Sequence, residues 1–181
     1  RPMAQATVNS SDLRQRIQKM LEGTPGIMTP MIARKLNVSE AEVLRHFPDD
    51  DTNELDGARA ADLIEEFEQL GRVHVICSNG DCILESYGRF GGFSRAGGFL
   101  NVQTDTLDMH IKAANITQAF ALRKPSHTDQ QPTYSFQFFN EEGRSVFKVF
   151  VYKTVVEAGG DEINERLEAW NALKDKYALN A

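Results

Sequence analysis

Leu107-Asp108-Met109-His110-Ile111-Lys112 alternates apolar and polar residues without interruption, and Gly97-Gly98-Phe99-Leu100-Asn101-Val102 stands a short polar loop before it. Side chains of a strand point alternately to its two faces, so Leu107, Met109 and Ile111 take one side and Asp108, His110 and Lys112 the other. The two segments are expected to form adjacent strands. One imidazole and one ammonium then share a face, and on the alternation alone that is an ordinary wet strand face.

The same period extends outward from this pair. Arg72 marks the change: before it the apolar residues recur at helical spacing, and after it they alternate. Tyr134-Ser135-Phe136-Gln137-Phe138-Phe139 and Ser145-Val146-Phe147-Lys148-Val149-Phe150-Val151 are aromatic-rich strands around the four-residue loop Asn140-Glu141-Glu142-Gly143, and Thr117 to Arg123 alternates before Lys124-Pro125 breaks it. Gly159-Gly160-Asp161 is expected to cap a last helix carrying Ile163, Leu167, Trp170, Leu173 and Tyr177, with Lys174 and Lys176 near the end that favours cations. The fold class is α+β. A helical unit over 1–70 precedes a largely antiparallel curved sheet of about six or seven strands and a C-terminal packing helix over 71–181.

Within 1–70, Ser11 is expected to cap a helix through Leu21, and Thr29-Pro30 opens a second. Ser39-Glu40-Ala41-Glu42 reads as a capping box for a third, which Pro48 stops. The second and third resemble a helix-turn-helix. Its reading helix would lead with Glu40 and Glu42 and be followed by Asp49-Asp50-Asp51, charges that repel phosphates, so a packing role is expected instead. Asp56 is expected to cap one further helix with the stripe Ala60, Leu63, Ile64, Phe67 and Leu70, closed by Gly71.

Composition sets outer bounds. The 181 residues carry a net charge of −6, which disfavours nucleic acid as a partner, and no apolar run reaches the roughly 20 residues of a membrane helix. Arg1-Pro2-Met3-Ala4-Gln5 shows no apolar h-region, so no secretory signal is expected, and with only two cysteines this points to a reducing compartment. Cys77 and Cys82 flank Asn79-Gly80, a two-residue hairpin signal. That loop would set the two thiols opposite each other as buried core residues on one face.

No catalytic constellation emerges. His46, His74, His110 and His127 lie in different elements without metal-ligand spacing, and Gly-x-Ser-x-Gly is absent. Gly88-Arg89-Phe90-Gly91-Gly92-Phe93-Ser94-Arg95-Ala96-Gly97-Gly98 lacks the strand-to-helix context of a phosphate loop. It reads as a loop beside a cleft, where Arg89 and Arg95 are candidate anion contacts.

Several segments together resemble a known family. Gly98-Phe99-Leu100-Asn101, His110-Ile111-Lys112-Ala113-Ala114-Asn115-Ile116, Phe138-Phe139-Asn140-Glu141-Glu142-Gly143 and Phe147-Lys148-Val149-Phe150-Val151 are similar to the intracellular haem-utilisation carriers of the HutX/ChuX type. The resemblance runs in order from about Leu13 to Trp170. It implies a saddle-shaped homodimer that binds haem in the cytoplasm and passes it to a degrading or storage partner, as part of haem transport and iron acquisition. It implies His110 as a haem-iron ligand, with Lys112 placed to meet a propionate. The cofactor-binding set expected on this basis is His110, Lys112, Phe99, Arg95 and Met109. Phe99 stands where the family often has a tyrosine that could ligate iron, and Ser78 where some members have a histidine, so His110 acts alone or with Tyr87 or Met109. Haem needs an N, O or S ligand, an apolar slot and cations for its carboxylates, and these residue types supply all three. The runner-up reading is an enzyme that degrades haem or a related tetrapyrrole, and a third is a regulatory interaction module.

Overall fold

The computed structural model of the chain describes residues 9–152 and 160–180. Helix α1 (Ser10–Gly23) is capped by Asn9 rather than Ser11: the Asn9 side chain accepts from the Ser11 N–H at 3.2 Å. Helices α2 (Thr29–Leu36) and α3 (Glu40–Arg45) turn about Asn37, held at φ 53, and Ser39 accepts from the Glu42 N–H at 3.2 Å as the capping box requires. Glu40, Ala41, Val43 and Leu44 of α3 are buried. The Ala41 N–H donates to the Gly143 carbonyl at 3.2 Å, and a side chain at Gly143 (φ +77) would run into Ser39. A groove-reading helix needs this end free. Here it is packed against the protein's own hairpin.

Nine strands form two antiparallel sheets among the described residues. The large sheet has the order β1 (Thr52–Leu55), β7 (Gln118–Pro125), β8 (Pro132–Phe139), β9 (Ser145–Val151), β2 (Arg72–Ser78), β3 (Ile83–Arg89). The small one has the order β4 (Ser94–Ala96), β5 (Phe99–Gln103), β6 (Asp108–Ile111). Two strands go beyond the sequence reading. β1 is short and polar, with only Leu55 buried, so its sequence carries no alternation; pairing with β7 specifies it. β4 lies inside the glycine-rich stretch read as a loop, because Gly97 (φ +59) and Gly98 (φ +81) form a two-residue turn that sets Ala96 opposite Phe99. The helix expected after Asp56 is broken into α4 (Ala60–Ile64) and flanking 3₁₀ turns, while its apolar stripe is buried as expected.

The hairpin carrying the cysteines differs from expectation. Cys77 pairs with Leu84 and Ser78 with Ile83, leaving a four-residue loop. Asn79 Oδ1 accepts from the N–H groups of both Asp81 (3.0 Å) and Cys82 (2.8 Å), and this side-chain bridge widens the turn by two residues. Cys82 is therefore exposed in the loop while Cys77 sits half-buried, and the two are not cross-strand partners. Burial pushes the Cys77 thiol above its usual range, so less of it is thiolate at neutral pH. A thiol reagent followed by mass spectrometry should label Cys82 first and Cys77 slowly; equal rates would contradict this placement.

The large sheet is packed on both faces, with the helical segment reaching only part of the second. On one face, Leu100, Val102 and Ile111 of the small sheet pack with α4 and α5 (Gly160–Lys176) against Val73, Val75, Phe136, Phe138, Phe147 and Val149. On the other, Ile17, Ile32, Val43, Leu44 and Phe47 of the helical segment cover Phe120, Leu122 and Phe139. Trp170, Leu173 and Tyr177 of the C-terminal stripe are buried, and the Trp170 Nε1–H donates to the Ser135 carbonyl at 3.1 Å. The cap expected at Gly159 and Asp161 and the packing of Ile163 lie outside the described residues. No described helix is long and apolar enough to cross a membrane.

Candidate functional site

Small sheets with one buried face necessarily present the other. Because Leu100, Val102 and Ile111 point into the core, the intervening positions Phe99, Asn101 and His110 point out. Register then fixes the neighbours: Ser94 is opposite Asn101, Asn101 opposite His110, and Gln103 opposite Asp108. His110 Nδ1 lies 2.6 Å from Asn101 Oδ1. Its ring meets Phe99 edge-on at 6.4 Å, and Lys112 Nζ stands 5.5 Å from the centre of the same Phe99 ring. His110 Nε2 faces outward with Asp108 Oδ1 at 3.4 Å. The His110 side chain is 55% exposed, so a large planar ligand could reach it without opening the core.

Three of the five expected site residues, Phe99, His110 and Lys112, thus meet on one face. Met109 points the opposite way, packed against the core between the sheets. Arg95 pairs across from Leu100 and is committed elsewhere: Nε lies 2.6 Å from Glu65 and Nη2 3.2 Å from Asp62. Those hydrogen bonds, Glu65's first, raise its already high proton affinity further. A shallow groove of about 340 Å³ adjoins Phe99, bounded by Ala61, Arg95, Ala96, Gly98 and Ala113.

The other histidines are engaged in separate elements. His74 stacks on Tyr87 at 4.3 Å and contacts Glu85 at 2.9 Å on the large sheet, which removes Tyr87 from the His110 face. His46 Nδ1 lies 2.8 Å from the Glu42 carbonyl at the end of α3, and His127 is exposed in the β7–β8 loop. Among the described residues no group of three His, Cys, Asp or Glu side chains could hold a bare metal ion. Sequence reasoning passed over two residues that the geometry brings into this site, Asn101 and Ser94. Their signal was present in the alternation, since Asn101 shares the parity of Phe99, but β4 had to be recognised before Ser94 could be placed.

Residues 53–173 match the family described as haem utilisation ChuX/HutX. The chain belongs to that family. It is 26% identical over 171 residues to the intracellular heme transport protein HutX of Vibrio cholerae, covering 91% of this chain and 84% of HutX. A solved structure of the heme binding protein ChuX superposes with a TM-score of 0.74 at 23% identity, over 88% of this chain and 97% of that one. The apo structure of PhuS, a heme-binding protein from Pseudomonas aeruginosa, gives a TM-score of 0.69 at 22% identity. It matches 99% of this chain but 51% of PhuS, so the family fold here corresponds to about half of that protein.

Proposed function

We propose that this chain is a cytoplasmic haem carrier that takes up haem on the open face of the small sheet and passes it to a degrading or storage partner. The observation that carries the reading is the convergence of His110, Phe99 and Lys112 on one exposed face in a member of a haem-utilisation family. His110 would bind iron, Phe99 would lie against the macrocycle, and Lys112 would meet a propionate. The functional division falls at residue 70, with haem held by 71–181 and the helices of 1–70 serving to cover the large sheet.

A homodimer, built as a saddle from two large sheets, is part of the proposal. Beyond the helical cover, the face of the large sheet carries His74, Tyr87, Phe150 and Tyr152 in mutual ring contact, with Arg72 over Tyr152 at 4.4 Å and Tyr87 exposed. A second copy would cover this patch, and two copies together would match the length of the PhuS fold.

Titration of the full chain with haem, followed in the visible region, tests both parts. The expected result is a saturating Soret change at stoichiometric haem, with sedimentation of the same sample placing the haem on a species of twice the chain mass. No Soret change would sink the carrier reading, and haem sedimenting with a single chain would sink the dimer. Consumption of bound haem on adding a reductant, with release of iron, would favour the degrading enzyme instead.

A further inference from the structure

We infer that Asn101 is the positioning residue of this site, accepting from the Nδ1–H of His110 and so orienting the ring with Nε2 turned outward to iron. The inference rests on the haem reading above. Its own warrant is a row of three side chains running straight across β4, β5 and β6. Ser94 is directly opposite Asn101, and Asn101 directly opposite His110. Asn101 Nδ2 donates to Ser94 Oγ at 3.2 Å. With its nitrogen committed there, the amide turns its oxygen to the imidazole, 2.6 Å from Nδ1.

That oxygen has no hydrogen to give, so Nδ1 is the donor. A neutral imidazole carries one proton, and placing it on Nδ1 leaves Nε2 as the free base. The second partner of a ligating histidine fixes tautomer and ring orientation in this way, and it raises the basicity of the ligand nitrogen. Ordered strands rather than a loop carry all three residues, so the ring is aimed before the ligand arrives and little orientational entropy remains to be lost on binding. Phe99 limits ring rotation from one side through its edge contact at 6.4 Å. Asp108, 3.4 Å from Nε2 and two residues along the same strand, is the competing partner: its carboxylate accepts only from an Nε2–H, so this exposed side chain must move aside for Nε2 to meet iron.

The test uses the full chain in two states. Long-range ¹H–¹⁵N correlation spectra of the haem-free protein, taken where His110 is neutral, should show the Nδ1–H form. Asn101→Leu should shift it toward the Nε2–H form, while Asn101→Asp, which keeps the oxygen acceptor, should retain it. In haem titrations Asn101→Leu should weaken binding by about 10–100-fold. Asn101→Asp should restore most of the affinity and lower the reduction potential of the bound haem. An unchanged tautomer in Asn101→Leu, whatever its haem affinity, would overturn the inference, because a loss without that shift is mere packing. Full haem affinity in His110→Ala would instead overturn the ligand assignment, leaving the tautomer result in the haem-free protein intact. The two failures are therefore separable.

Discussion

His110→Ala should lose more than about 100-fold in haem affinity, since even partners one step behind a metal ligand typically account for about 10–100-fold. At about 1.4 kcal/mol per tenfold, that is roughly 3 kcal/mol or more. The size follows from what remains on the face. Phe99 cannot coordinate iron, Met109 points into the core, and Tyr87 is stacked on His74 in the other sheet. Ser94 and Asn101 are neutral oxygen donors. The contrast is Lys112→Gln, which removes an exposed cation; solvent screening limits that loss to about 1 kcal/mol or less. The ratio of the two effects matters more than either alone. A carrier that depended chiefly on charge would show them reversed and strongly salt-dependent. A second arm uses the position where the family often has tyrosine. Phe99→Tyr in the His110→Ala background puts a phenol on the same face, and part of the affinity should return with the visible spectrum of a tyrosinate ligand. Haem affinity unchanged by His110→Ala would refute the assignment of the ligand.

Much of this architecture was legible because hydrophobic period and burial coincide. Ala60, Leu63, Ile64, Phe67 and Leu70 were readable as one stripe, and all are buried even though the helix beneath them is interrupted. The aromatic strands β8 and β9 and the parity of His110 followed from the same alternation. The failures share a cause: each was decided by a contact outside the local pattern. β1 exists because β7 offers it a ladder, not because Thr52-Asn53-Glu54-Leu55 is strand-like. The Cys77 register was set by one side chain, Asn79, accepting two backbone hydrogens. Arg95 had the right charge near the right strand, but it faces Glu65 and Asp62, and β4 had first to be seen as a strand for that side to be known. Alternation told which face His110 occupies. Only register could say what stands beside it.

The largest stability effect should come from the ion pair that ties the helical segment to the large sheet. Lys148 Nζ lies 2.8 Å from Glu40 Oε1 and donates to Oε2 at 3.2 Å, with both side chains nearly buried, and Thr29 Oγ1 donates to the same carboxylate at 3.4 Å. Removing one partner of a buried pair leaves an uncompensated charge and typically costs about 3–5 kcal/mol, whereas replacing both with apolar groups can be neutral. The surroundings break the symmetry between the two single variants. Lys124, also buried, has its pKa pushed down to about 8, first by burial and then by the charge of Lys148. Lys148→Met strands the carboxylate but relieves Lys124, so its cost should fall near 3 kcal/mol. Glu40→Gln leaves two buried ammonium groups facing one another's field without an anion, so its cost should be the greater. The double variant Glu40→Leu/Lys148→Met should recover most of the loss. Urea unfolding measures all three, and a split transition in the single variants would show the helices leaving the sheet before it unfolds. Equal costs below about 1 kcal/mol would mean that water reaches the pair and screens it as at a surface. Haem affinity should be unchanged across the series, because His110 sits on the small sheet, and α1–α3 cover the opposite face of the large one.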